Sequence, residues 1–132
     1  PNISAIAGLN AGIKWVEDVG IGKIVAHKKD LISKLVKGLE TVEEVTVFKP
    51  REEDFITGVI SFAVKSYESA DVGQILDDEF DIAVRTGHHC AEPLIDYLGV
   101  PGTVRASVAM YNTKEDIDAF VVALKKAIMM LE

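Results

Sequence analysis

Gly58-Val-Ile-Ser-Phe-Ala-Val64 is followed, after a short polar link, by Ser69-Ala-Asp-Val-Gly-Gln-Ile-Leu76. The first run is short and mostly apolar, and it reads as a buried strand. The second places Val72, Ile75 and Leu76 at helical spacing, with Ser69 as the expected cap and Asp71 in the first turn. The same two element types recur on either side. Upstream, Val45 to Phe48 reads as a short strand ended by Pro50, and the charged loop Arg51 to Asp54 follows. Downstream, Ile82 to Val84 is the expected third strand and Thr103 to Val108 the fourth, with Pro101-Gly102 as a turn before it.

Helices fill the remaining sequence. Residues 3 to 19 carry Ile3, Ile6, Ile13 and Val16 among small residues. Gly8 and Gly12 there each cost about 1 kcal/mol relative to alanine, which suggests close packing against another element. Gly20 and Gly22 punctuate the chain. The next helix shows Ile24, Val25, Leu31, Ile32, Leu35, Val36 and Leu39 on one face and lysines on the other. Pro93 suits the first position of a short helix that Gly99 stops. Thr113-Lys-Glu-Asp116 resembles a capping box, and Ile117, Phe120, Val121, Leu124, Ile128 and Leu131 line the last helix. About four short strands with amphipathic helices predict an α+β two-layer sandwich, with a mostly antiparallel sheet covered by helices on one face.

Composition narrows the class of protein. The chain has 132 residues, one domain's worth, with 48% hydrophobic and 27% charged residues. A formal net charge of −7 argues against nucleic acid and against anionic membrane surfaces. A single cysteine cannot form an internal disulfide, which favours a reducing, cytoplasmic setting. The chain opens at Pro1 and stops just after its last apolar residue, so it is expected to be a piece of a larger protein.

Chemistry concentrates in Arg85-Thr-Gly-His-His-Cys-Ala-Glu-Pro93. Cys90 is the chain's only thiol. It could be an inert core cysteine, but the run has no apolar periodicity and reads as a loop, where function concentrates. A thiolate is a strong nucleophile, and neighbouring cations or imidazoles favour it. His88 and His89 could be idle, could join Cys90 in a metal site, or could stabilise or protonate the thiol. A structural zinc needs four ligands, and the third histidine, His27, lies far away on a helix, so no metal is expected. Arg105 is a lone cation within an apolar strand. It serves either a structural ion pair or bidentate capture of a carboxylate. Arg85 is the second anion candidate, against a solvated strand end. Asp77, Asp78 and Glu79 read as a solvated helix end, and Trp15 and Tyr111 as packing residues.

The run Val84-Arg-Thr-Gly-His-His-Cys-Ala-Glu-Pro-Leu94, then Val104-Arg-Ala-Ser107, then Met110-Tyr-Asn-Thr113 and the amphipathic last helix, resembles the C-terminal part of cysteine desulfurases. More narrowly it is similar to the SufS-like branch, close to selenocysteine lyases, within the class V aminotransferases. The resemblance covers essentially the whole chain. It implies that residues 1–132 form a single C-terminal small domain of a fold-type I pyridoxal-phosphate enzyme. Residues 1–20 would then be the helix linking it to the cofactor domain. It implies Cys90 as the nucleophile that takes sulfur as a persulfide, and Arg105 as the anchor of the substrate carboxylate. Arg85, His88 and His89 match flanking positions of the loop.

The implied cofactor is pyridoxal phosphate on a Schiff-base lysine, which this chain does not supply: His27-Lys28 lies in an amphipathic helix. The resemblance further implies L-cysteine or L-selenocysteine as substrate, a sulfur-acceptor protein, a homodimeric intact enzyme and a place in iron–sulfur cluster assembly. The fragment alone is expected to be inactive. Two other readings stay open: a stand-alone thiol module that carries sulfur or senses redox state, and an aminotransferase-like domain with other chemistry.

Overall fold

A computed structural model describes residues 1–50 and 57–132; the charged loop read at Arg51 to Asp54 lies outside the described residues. The elements run α1 (Ile3–Val19), α2 (Ile21–Leu39), β1 (Val45–Phe48), β2 (Val59–Val64), α3 (Ser69–Phe80), β3 (Arg85–Gly87), α4 (Glu92–Leu98), β4 (Thr103–Ser107) and α5 (Lys114–Leu131). The strands form one antiparallel sheet in the order β1-β2-β4-β3. The expected α+β two-layer sandwich is the fold observed.

Strand alternation decides which side of the sheet is covered. Ile60, Phe62 and Val64 of β2, with Val104 and Ala106 of β4, face the helices and are buried. Against them pack Leu31, Ile32, Leu35, Val36 and Leu39 of α2, Val72 and Leu76 of α3, and Phe120, Leu124 and Ile128 of α5. The Phe62 and Phe120 rings meet edge to face, with centroids 6.2 Å apart. Thr113 opens α5 with the anticipated capping box: Asp116 N–H donates to Thr113 Oγ1 at 3.2 Å, and Thr113 N–H donates to Asp116 Oδ2 at 2.9 Å. Gly99 closes α4 in the left-handed conformation, as its position suggested.

Several sequence expectations give way. The third strand is Arg85–Gly87 and not 82–84. Asp81 ends α3 in the left-handed region, and Ile82 N–H bonds back to the Leu76 carbonyl. The chain then needs 82–84 to travel from the helix layer to the sheet. Ile82 and Val84 are apolar because they pack against the core along that path. Ser69 does not cap α3. Glu68 holds the cap position without a side-chain bond, and Ser69 lies inside the first turn, where its hydroxyl accepts from Gly87 N–H at 3.2 Å.

Gly20 separates α1 from α2 at φ 89°, whereas Gly22 is helical within α2. Trp15 and Tyr111 are 55% and 83% exposed, so neither packs the core. No residue of α1 is buried, and among the described residues nothing lies against Gly8 or Gly12.

Phe62→Ala empties the point where sheet and helix layers meet. It should cost about 3–5 kcal/mol, a large part of a small domain's stability. Urea unfolding of the variant beside the parent chain measures this, and a loss under about 1 kcal/mol would contradict the packing described.

Candidate active site

The uncovered face of the sheet carries one row of side chains across all four strands. Phe48 pairs with Ser61, Ser61 with Arg105, and Arg105 with Arg85. Directly opposed residues of antiparallel strands share a face, so the two arginines project together. Like charges placed directly opposite repel unless an anion lies between them. Arg105 is half-buried, and its Nε is buried without a hydrogen-bond partner among the described residues. The structural ion pair weighed for Arg105 is therefore not seen among those residues. Arg85, on the edge strand, is exposed.

Phe48, Ser61 and Arg105 of this row, though not Arg85, line a cleft of about 500 Å³ together with Lys49, His88, His89, Leu94 and Thr103, among others. Cys90 follows at its edge. It is exposed and does not line the cleft. The inert-core reading of this thiol is thus set aside by its position. His89 and Cys90 both have left-handed backbone, at φ 57° and 60°, which costs a non-glycine residue about 1–2 kcal/mol. Ala91 N–H closes the turn onto the His88 carbonyl at 2.9 Å.

Both histidine rings are bonded to β4 or to the turn before it. His88 Nε2 donates to the Pro101 carbonyl at 2.9 Å, and its Nδ1 lies a loose 3.8 Å from Glu92 Oε1. His89 Nε2 meets Thr103 Oγ1 at 2.9 Å, while its Nδ1 is buried without a partner. Gly102 lets the start of β4 approach α3 and the end of β3: a Cβ there would lie 2.9 Å from Ser69 Oγ and 3.3 Å from Gly87 Cα. Burial first, then the Arg105 charge, holds the His89 imidazole below the ordinary histidine value of 6.5. Among the described residues no three His, Cys, Asp or Glu side chains converge on a metal position.

Arg85, Arg105, His88 and His89 are thus brought to one end of one sheet face, with Cys90 beside them. Ser61, Phe48 and Thr103 belong to the same site but were not singled out from sequence. Their membership depends on strand register, which a single sequence does not display. A Schiff-base cofactor needs an unengaged lysine. The one lysine lining this cleft, Lys49, is bonded to Glu40 Oε1 at 2.5 Å. These residues fit an anion and do not by themselves fit a Schiff-base cofactor.

Comparison with known proteins gives the same architecture a family. Residues 1–120 match the aminotransferase class-V family, and the chain belongs to that family. A cysteine desulfurase of Escherichia coli O8 (strain IAI1) is 41% identical over 126 residues, covering 96% of this chain but 30% of the relative. The chain therefore spans about a third of the length of the relatives it matches. The apo structure of a cysteine desulfurase from Thermococcus onnurineus NA1 superposes with a TM-score of 0.90 at 40% identity, over 98% of this chain and 32% of that one. The cysteine desulfurase CsdA from Escherichia coli, solved in an S-sulfonic acid form, superposes at 0.87 with 32% identity, over 98% and 31%. No helix of the described residues is long and apolar enough to cross a membrane.

The lowered His89 value has a pH consequence. Below 6.5 the unfolded chain takes a proton at this ring more readily than the folded loop does, so folding weakens as pH falls through that window and is unaffected above it. Following the His89 ring carbons by NMR across pH 4–8 should give a titration midpoint below 6.5. A midpoint at or above that value would mean the ring is not buried beside Arg105.

Proposed function

We propose that this chain is the C-terminal small domain of a pyridoxal-phosphate-dependent cysteine desulfurase or selenocysteine lyase. On this reading it supplies the nucleophilic thiol and the carboxylate anchor. The observation that carries the proposal is the pair of cross-strand arginines, with the Arg105 Nε buried and unpartnered, next to an exposed cysteine on a strained turn. A small anionic amino acid would place its carboxylate on Arg105, with Arg85 adding charge at the cleft's edge. Its sulfur or selenium would then face Cys90.

The Cys90 thiolate attacks that atom. A bond between it and the Cys90 sulfur forms as the substrate's bond from carbon to sulfur or selenium breaks, leaving a persulfide or its selenium counterpart on Cys90 and, after protonation, alanine. The electron sink this chemistry needs, pyridoxal phosphate, would be held by the part of the enzyme beyond this chain. Exposure of Cys90 suits hand-over to an acceptor protein, and with it a place in iron–sulfur cluster assembly. Membership of a homodimer and a cytoplasmic location complete the proposal.

The domain assignment rests on α1. Ile3, Ile6, Leu9 and Ile13 are half or more exposed along one helix that buries nothing. We assign this helix, with residues 1–20, as the link that packs against the remainder of the enzyme. Isolated, the chain should self-associate through it, since large apolar patches draw partners. Sedimentation velocity should show a concentration-dependent shift, and a strict monomer at high concentration would count against the assignment.

The functional reading is tested on the intact enzyme. Cys90→Ser should abolish persulfide formation while cofactor absorbance stays, because a hydroxyl is a far weaker nucleophile toward sulfur. Arg105→Ala should lose a charge-assisted pair of about 1.5–3 kcal/mol, roughly tenfold to a hundredfold in affinity for cysteine. Arg105→Lys should recover part of this, since an ammonium lacks the planar fork. Full activity with a lowered melting temperature in both arginine variants would make Arg105 a structural residue.

A further inference from the structure

We propose that Thr103, acting through His89, is a positioning residue for the Cys90 thiol, and that the two histidines are tethers and not proton carriers. The inference rests on the reading of Cys90 as nucleophile and adds a residue that reading does not contain. Thr103 is 1% exposed although it sits on the sheet face away from the main helix layer, and it lines the cleft together with His88, His89 and Ala91 of the turn and Ile95 and Leu98 of α4. Its hydroxyl meets His89 Nε2 at 2.9 Å. His88 Nε2 is bonded to the Pro101 carbonyl two residues earlier. The turn is therefore held to the start of β4 at two neighbouring points.

These ties fall where the backbone is least comfortable. Two consecutive non-glycine residues, His89 and Cys90, are held left-handed, an arrangement that persists only when the surroundings enforce it. Besides the ring bonds, the Ala91 N–H to His88 carbonyl bond closes the turn from within its own backbone. Cys90 is exposed and its thiol has no bonded partner among the described residues, whereas its two predecessors are both ring-bonded to β4 or to the turn before it. Relaxing the pair into ordinary backbone would turn the thiol in a new direction relative to Arg105. The Nε2 atoms are the ones engaged. The His88 Nδ1 lies 3.8 Å from Glu92 Oε1, and the His89 Nδ1 is buried without a partner, so the one ring nitrogen left unbonded is closed to solvent. This favours tethering over acid–base work. Thr103 lies on a strand whose pairing with Gly87 fixes its distance from the turn, so the hydroxyl acts as a rigid post.

Thr103→Val removes the hydroxyl and keeps the branched shape, and Thr103→Ser keeps the hydroxyl. In the chain itself, the Cα and Cβ chemical shifts of His89 and Cys90 should carry the left-handed signature in the parent and in Thr103→Ser. Thr103→Val should lose it, with Ala91 amide exchange faster and the exchange of core amides in β2 and α5 unchanged. In the intact enzyme, Thr103→Val should lower kcat for persulfide formation roughly tenfold to a hundredfold, leave KM for cysteine within about twofold, and recover in Thr103→Ser. The pH midpoint of Cys90 alkylation should stay where it is in the parent.

A left-handed turn that survives Thr103→Val, or an unchanged kcat, overturns the proposal. So does a midpoint that moves by a full pH unit, which would show that the imidazole acts on the thiol electrostatically. The Cys90→Ser enzyme separates the two ideas. If it still forms persulfide the functional reading fails, while the chemical-shift and exchange results still decide whether Thr103 holds the turn.

Discussion

The pairing of β3 with β4 is the contact on which the site depends. It is three residues long, yet it sets Arg85 opposite Arg105 and Gly87 opposite Thr103. The first pair makes a concentrated positive spot on the open face. The second hangs the cysteine turn over a buried threonine. Both follow from the period-two geometry of strands, which lets Val104 and Ala106 enter the core while Arg105 between them points the other way. A cation inside an apolar run is costly only if it shares the direction of its neighbours, and here it does not.

The helix layer does different work. α2 and α5 bury a continuous apolar surface and are joined at the rim by Asp30–Lys114 and Lys34–Asp118 ion pairs at 2.7 and 2.6 Å. His27 adds a hydrogen bond from its Nε2 to the Asn112 carbonyl at 2.9 Å, tying α2 to the approach of α5. Exposed ion pairs of this kind contribute little each. The burial behind them supplies the rigidity that lets a thin, one-sided sheet hold its shape with one face uncovered.

Much of this was legible in the amino-acid sequence because it is periodic. The helices of Leu31 to Leu39 and Ile117 to Leu131, the strand of Val59 to Val64 and the Thr113 capping box are all local patterns. The site was legible as a composition, since Cys90, His88, His89, Arg85 and Arg105 are unusual where they stand. Its wiring was not. Strand 85–87 has no apolar signature and exists because β4 is there to pair with it, while Ile82 and Val84 mimic a strand by packing a connector onto the core. Ser69 shows the same limit: a hydroxyl at the start of a helix suggests a cap, but a glycine amide eighteen residues later claims it. Thr103 and Ser61 were invisible for a related reason, because only register reveals which small polar residues stand beside an arginine.

The strand order has a bearing on how the domain comes into being. β3 leads into the thiol turn but touches only β4 within the sheet, and β4 lies downstream of it, with α5 covering the sheet later still. As the chain emerges during synthesis, the first helices and the β1–β2 pair have neighbours at hand, while the cysteine turn still waits for Pro101 and Thr103, to which its two histidine rings bond. Contacts that must wait for distant sequence form late. The cysteine turn is thus among the last parts to take shape, and its thiol acquires a defined direction only once β4 has joined the sheet.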